Sequence, residues 1–523
     1  MTDISLLTER ETLNMKTQAF EQTQFNKIKE QISTYTISQT VKERIINFEA
    51  SDNLEQVLNY QAETGEALVI LKTNQSFPFM ASEQIDRLFQ KIEEGYILET
   101  KELVEIADFL KSIRKLKEFF QKNKKLSPIL SGYASKLQGF RSIEETIHLS
   151  IKNNQVTSDA SRDLKKARQS INKYQADISD KLHKYINNAA NKNKIQEFLI
   201  VQRDGILTVP IKSSFKHSIK GRIISESSKG STAYIELENT RELNQKLQTA
   251  QAEEMSLIYQ ILANLTEEIA QELPFLNHAI QIIFQLELII AKAKYSHEIN
   301  GHKVTINQIG YIKLDNAKHP LLGKNAVPLN IELGNRQRGL VITGPNSGGK
   351  TVVLKTIGLL TFMTMMGVYI PADPSSHISL FKHILVDIGD YQDLDNALST
   401  FSGHMNNMGN ILTIADKESL ILVDEIGSGT EPTEGAALAI AMLDNLVNRQ
   451  SVVIASTHYG EIKDFATEKE TFITAAMAFD NETLQPKYQL LMNEIGESNA
   501  FFIARKMKIN EDILESAVCY LKK

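Results

Sequence analysis

Residues 344–351 read Gly-Pro-Asn-Ser-Gly-Gly-Lys-Thr and follow directly on the apolar run Leu340, Val341, Ile342. No other stretch constrains the fold as tightly, because G-x-x-x-x-G-K-[ST] carries its meaning only where a strand enters a helix. The glycines let successive backbone N–H groups turn inward onto phosphate oxygens, and the following helix aims its positive end at the same point. Gly344, Pro345, Asn346, Ser347, Gly348 and Gly349 form the expected cradle. Lys350 is placed to reach the β- and γ-phosphates, and the Thr351 hydroxyl to ligate Mg²⁺. The expectation is a nucleoside triphosphate site.

The surrounding residues extend that site. From about Gln308 onward the strands LVITG, HILVDIG, LILVDE and VVIAST alternate with helical stretches, as a mostly parallel sheet requires. The third of these ends in Asp424-Glu425. Asp424 is placed to hold Mg²⁺ through water, and Glu425 suits a general base that polarises the attacking water. The fourth ends in Thr457-His458, where a histidine can sense the γ-phosphate, although a lone histidine there is more often structural. The segment DIGDYQDLDNALSTFSGH, residues 387–404, brings Asp390, Gln392, Ser399 and Ser402. Gln392 resembles a Q-loop residue that contacts water or metal. Ser399 resembles the signature serine that ABC-type ATPases present across a dimer, while serine clusters also cap helices.

The front half reads differently. Residues 1–150 show helical periodicity, with helices expected over Leu7 to Arg44, Leu54 to Leu71 and Ser82 to Lys125. A long polar helix follows over 157–197, with Leu164, Ile171, Ile178 and Leu182 spaced as in a two-stranded coiled coil. Residues 198–237 carry strand signals broken by Asp204-Gly205, Ser213-Ser214 and Lys229-Gly230, so a small antiparallel sheet is expected. A second long helix runs from about Asn239 to Leu273, where Pro274 ends or kinks it. This arrangement fits either a long hairpin with a β tip or an ordinary helical subdomain with an inserted β-hairpin. The domains expected are a helical core over 1–150, lever helices with their β tip over 151–307, and a nucleotide domain over 308–523.

Charge limits the partners. With 58 basic and 64 acidic residues the net charge is −6, so nucleic-acid contact needs locally concentrated basic surface. Lys212, Lys216, Lys220, Arg222 and Lys229 cluster at the expected tip, where they suit phosphate contacts that read no sequence. The basic run KSIRKLKEFFQKNKK, residues 111–125, reads better as a solvated face. A single cysteine, Cys519, excludes an internal disulfide, and the N-terminus lacks an apolar signal region. The uncharged stretch from Thr356 to Ala372 approaches a membrane span in length, but its place behind the P-loop reads as a buried helix. A cytoplasmic protein with no membrane partner is expected.

The order of P-loop, Q-loop-like segment, serine signature, Asp-Glu and histidine is that of ABC-type ATPase heads. TGPNSGGKTVVLKTIGLL, LSTFSGHM, VDEIGSGTEPTEGAALA, STHYGEIK and GESNAFFIA together strongly resemble the MutS family. EFLIVQRDGILTVPIK, SESSKGSTAYIEL, SDASRDLKKAR, ETGEA and AKHPLL are similar to segments of its MutS-two branch, which lacks the mismatch-reading domain. The resemblance covers residues 15–520 or so. It implies a multidomain α plus α/β fold: a helical core, long levers with a β clamp-like tip, then an ABC-type P-loop ATPase domain. It further implies ATP and Mg²⁺ as ligands and a homodimer with composite sites. Gly344 to Thr351, Asp424, Glu425 and His458 would act in cis, with Ser399 reaching across. The implied work is ATP-controlled clamping on DNA, above all branched or recombination-intermediate DNA, in repair and restraint of recombination. The alternative is a ribosome- or RNA-directed ATPase acting on stalled or collided ribosomes.

Some features depart from the pattern. The branch usually continues into a C-terminal Smr domain, whereas this sequence stops at Lys523, so that domain's nuclease action is not transferred and endonuclease activity is left open. Tyr-Gln-Asp follows Asp390 where Glu-Gln-Ser is common, and Glu431 stands where Asp is usual.

Overall fold

The computed structural model describes residues 14–79, 85–345, 348–389, 397–480, 483, 485–496, 504–505 and 509–521. Its contacts group into two compact units, one of residues 1–77, 119–135 and 282–523, the other of residues 78–118 and 136–281. These units cut across the three consecutive segments expected from sequence.

The first unit is built on a six-stranded sheet. Its strands lie in the order His383–Asp387, Ser419–Val423, Val452–Ser456, Gly339–Thr343, Phe472–Asp480, Gln485–Met492. All neighbours are parallel except the last pair. The runs GLVIT, SLILV and VVIAS are buried at every position, as central parallel strands covered on both faces must be. On one face Val341, Leu385, Ile421 and Val453 share a core with Met408 and Ile411 of the helix Ala397–Ile414. Ala439 and Leu443 of the helix Pro432–Asn448 complete it. The helix Lys350–Met365 is buried along most of its length. Front residues join this unit directly: Phe20 and Phe25 pack their rings on Phe362 at 4.8 and 5.3 Å, and Met15 enters the sheet core. Gly358 allows that approach, since a Cβ there would lie 2.7 Å from Thr23 and 2.8 Å from Leu422. A second, four-stranded sheet comprises Thr305–Asn307, His377–Ser379, Ile312–Ala317 and Leu329–Leu333. That sheet and the two C-terminal strands of the main sheet were not expected.

The other unit contains the four-stranded antiparallel sheet expected at 198–237, formed by Val201–Arg203, Ile206–Lys212, Thr232–Leu237 and Gly221–Glu226. Its first hairpin turns at Asp204 and Gly205, both with positive φ, the pattern of a type I′ turn. The expected coiled-coil positions Ile171, Ile178 and Leu182 on the helix Arg162–Asn187 do pack against Leu247 and Ala250. They share that core with Val209, Ile211 and Ile235 of the sheet. Glu254, a polar break in an apolar stripe, accepts from Arg168 Nε at 2.7 Å.

Several element boundaries differ from expectation. The first expected helix is broken at Gln24, whose φ is +64°, and the third at Gly95, whose φ is +84°. The polar helix is Arg162–Asn187, shorter than 157–197. Pro274 does not end its helix, which runs unbroken from Arg241 to Glu298. A mid-helix proline forfeits one backbone hydrogen bond and costs about 3 kcal/mol. Leu276, Ala279, Ile280, Ile283, Phe284 and Leu286 beyond it are all buried, and their burial holds the helix together. This helix is long and apolar enough to cross a membrane by composition, but 67% of its most apolar window is buried inside the protein.

Candidate nucleotide site

The site assembles at the C-terminal ends of the parallel strands. The P-loop strand ends at Thr343, Gly344 has φ +129°, and Gly349 has φ +95° as the residue before the helix Lys350–Met365. Both torsions are ones that a side chain resists, so the two outer glycines of the loop are required by its path. A Cβ on Gly348 would come within 3.1 Å of Met477. Lys350 is 2% exposed, and its ammonium donates to the Gly344 carbonyl at 2.7 Å. Burial lowers its pKa, Glu425 and Asp424 pull it back up, and Lys463 lowers it further. Thr343 Oγ1 donates to the Ala475 carbonyl at 3.1 Å and accepts from Gly496 N at 2.8 Å, while Lys463 Nζ donates to the Gly496 carbonyl at 3.3 Å. The chain around residue 496 is thereby tied to the start of the P-loop.

Asp424 and Glu425 follow the strand Ser419–Val423. Thr351 Oγ1 donates to Asp424 Oδ2 at 2.5 Å, and Ser456 Oγ donates to Asp424 Oδ1. The same Ser456 oxygen accepts from Glu425 N at 2.8 Å. Glu425 has φ +48°, a left-handed conformation rare outside glycine and held here by that bond and by its neighbours. A hydroxyl and a carboxylate in direct contact, with a second carboxylate adjacent, form a hard all-oxygen donor set of the kind Mg²⁺ takes. Thr351 and Asp424 therefore fit the ion.

Residues 340–523 match the family model described as MutS domain V. "Endonuclease MutS2" of Geobacillus sp. (strain WCH70) is 37% identical over 512 residues, 97% of this chain and 65% of the relative. Proteins of the same name from Shouchella clausii (strain KSM-K16) and Halothermothrix orenii (strain H 168 / OCM 544 / DSM 9562) are each 36% identical, over 94% and 96% of this chain and 64% of each relative. Residues 340–523 are thus similar to MutS domain V, and nearly the whole chain is similar to these MutS2 proteins. The chain spans 65% of the length of the first of these curated relatives.

Within this MutS domain the expected residues are placed unequally. Gly344, Pro345, Gly348, Gly349, Lys350, Thr351, Asp424 and Glu425 converge. Asn346, Ser347 and Gln392 lie outside the described residues. Ser399 is near the start of the helix Ala397–Ile414, with its side chain outside the description. His458 is exposed, its ring 4.4 Å from that of Tyr459, while the backbone N–H of Thr457 donates to the Ile342 carbonyl at 3.1 Å.

Sequence reasoning missed several residues. A cavity of about 280 Å³ opens beside the first turn of the P-loop helix, lined by His319, Val327, Leu329, Gly349, Val353 and Tyr488. Burial pushes His319 down to about 4, so the ring is neutral at pH 7, and its Nδ1 has no protein partner among the described residues. AKHPLL was noted only as a family segment. Ser456 and Asp387 are also missed, although each ends an apolar strand and Asp424 directly follows one.

The basic residues of the small sheet are not uniformly available. Lys216 pairs with Glu226 at 2.7 Å and Arg222 with buried Glu236 at 3.4 Å. Lys212 is partly buried, whereas Lys220 and Lys229 are exposed. In the run 111–125, Arg114 pairs with Glu144 at 2.9 Å, and Lys117 donates to the Leu137 carbonyl at 2.6 Å.

Proposed function

We propose that this chain is an ATPase that uses ATP binding and hydrolysis to control its grip on DNA, with branched or recombination-intermediate DNA as the preferred form. The observation that carries the reading is the Thr351–Asp424 contact beside Glu425, at the mouth of a P-loop in a MutS domain V. Backbone N–H groups of the loop, of which Pro345 has none, and the Lys350 ammonium bind the phosphates, and Thr351 and Asp424 hold Mg²⁺. When bound, Mg²⁺ supplies charge stabilisation to the transferring phosphoryl group. Glu425 polarises the attacking water, and His458 and Gln392 sense the γ-phosphate. Ser399 serves the site of a second copy, so the working form is a homodimer. The cavity beside Gly349 and Val353 receives the nucleobase.

DNA contact belongs in this reading to the segment 151–307, through Lys220 and Lys229 first and Lys212, Lys216 and Arg222 second. The three functional segments remain those expected from sequence: 1–150, 151–307 and 308–523.

Replacing Glu425 by Gln is expected to slow ATP turnover by about a hundredfold or more while ATP stays bound; unchanged turnover removes its role as base. The DNA half is tested by a panel of duplex, branched and single-stranded DNA, RNA and ribosomes, with and without ATP. ATP-dependent retention of branched DNA supports it. Retention of ribosomes alone replaces it with the ribosome-directed reading.

A further inference from the structure

Asp387 ends the strand His383–Asp387 and is fully buried. Its carboxylate accepts from two side chains of the helix Ala397–Ile414. Asn407 Nδ2 donates to Oδ1 at 2.8 Å, and His404 Nδ1 lies 2.7 Å from Oδ2. Asn407 also donates to the Val386 carbonyl at 3.3 Å. The two donors are three residues apart and so share one helix face. Burying a carboxylate is costly unless its partners are in place, so this contact is specific rather than incidental.

The carbonyl of the same residue accepts the backbone N–H of Asp424 at 2.9 Å. Asp387 therefore fastens in two directions. Its main chain holds the residue that contacts Thr351, and its side chain holds the helix on which Ser399 stands five residues before His404. The His404 ring also feels the charge of Glu425 and Asp424, which adds to that of Asp387 in favouring its protonated form.

We propose that His404 is a positioning residue for nucleotide hydrolysis: through Asp387 it sets the helix bearing Ser399 against the strand ends bearing Asp424 and Glu425. The inference rests on the ATPase reading above. In a composite site the serine of one copy must meet the acids of the other, and both distances depend on how each copy holds its own helix to its own strand. The Asp387–His404 pair, with the Asn407 bonds beside it, is a side-chain link between the two.

The test uses the full chain. Steady-state ATP hydrolysis and equilibrium binding of a fluorescent ATP analogue with Mg²⁺ are measured for the unaltered protein, His404→Ala and His404→Gln. His404→Ala is expected to lower kcat about tenfold or more while analogue affinity moves less than about threefold, the split that a loss confined to the transition state produces. His404→Gln keeps a donor toward Asp387 and is expected to recover most of the lost rate. An unchanged kcat in His404→Ala overturns the proposal. So does a parallel loss of kcat and affinity that glutamine does not relieve, because that assigns the pair to holding the domain together. If His404→Ala does not fold, the near-isosteric Asp387→Asn is read the same way: lowered kcat at unchanged affinity supports the proposal, and an unaltered kcat overturns it. No ATP hydrolysis by the unaltered protein is a separate failure, that of the ATPase reading.

Discussion

Two polar clusters, one buried and one running from buried Asp387 to partly buried Asp424, lie in the same unit and are built on opposite terms. Around Asp387 and Asp424 each carboxylate oxygen has a named donor: Asn407 and His404 on the first, Thr351 and Ser456 on the second. Around Glu63 and Lys292 the pairing is incomplete. Tyr133 donates to Glu63 Oε1 at 2.5 Å, and Lys292 donates to the Met366 carbonyl at 3.2 Å with its ammonium 4.6 Å from the Tyr60 ring. Glu63 Oε2 is buried with no protein partner among the described residues, and so, on the same helix, are Thr64 Oγ1 and both polar atoms of the Gln61 amide. Complete pairing fixes geometry to a fraction of an ångström, which a site that positions phosphate and water requires. Incomplete pairing leaves a desolvation cost in the fold, and the packing around it must offset that cost.

That contrast breaks most readily at Asp387. Removing the buried carboxylate leaves its His404 and Asn407 donors without a partner, at about 1–3 kcal/mol each, so Asp387→Ala is expected to lower stability by about 2–5 kcal/mol in denaturant unfolding. A loss below about 1 kcal/mol would mean that the pair is no more demanding than a surface contact, and the contrast would fail. Lys292 gives the next largest effect. Burial pushes its ammonium down to about 8 from 10.5, with Glu63 acting in the opposite sense. Between those values the unfolded chain holds a proton that the folded chain has released, so stability rises with pH across that window, by about 3 kcal/mol in all. Lys292→Met is expected to remove that slope, which unfolding midpoints at pH 7.5 and pH 10.5 for both proteins would show. Equal slopes would place the titration elsewhere.

The two clusters were also unequally legible in the sequence. Asp424, Glu425, Lys350 and Thr351 were readable because local pattern carries them: an apolar run, then an acid pair or a glycine loop. Asp387 and His404 were not, although both sit in quoted segments. Their contact joins a strand end to a helix 17 residues later, and no periodicity marks such a pair. Lys292 falls in the second half of a helix expected only to Leu273, where Pro274 ends or kinks it. Of the two outcomes that the proline allows, it does not end the helix, because the buried residues that follow outweigh its cost. ETGEA was seen as a family segment, but a motif match says nothing about whether its polar atoms find partners. The small antiparallel sheet was read closely since Asp204-Gly205 and alternating apolar residues are local signals. The second sheet of the first unit was missed because its strands come from separated segments.

The smallest effect tests the incomplete cluster itself. Gln61 and Thr64 are both fully buried on the helix Leu54–Lys72. Replacing a buried polar group that lacks a partner by an apolar one of similar shape recovers its desolvation cost and loses no hydrogen bond. Thr64→Val exchanges a hydroxyl for a methyl, and Gln61→Leu an amide for an isobutyl group. Each is expected to leave stability unchanged or raise it by up to about 1 kcal/mol, against the loss that the same kind of change causes at Asp387. Neighbouring shape restricts the choice of position. Gly65 already allows the Tyr369 hydroxyl to within 2.4 Å of where a Cβ would stand, so an added side chain there is expected to destabilise. A loss of more than about 1 kcal/mol in Thr64→Val, measured by denaturant unfolding beside Asp387→Ala, would show that the hydroxyl is satisfied in solution. The two clusters would then differ in which partners they use rather than in whether they are paired.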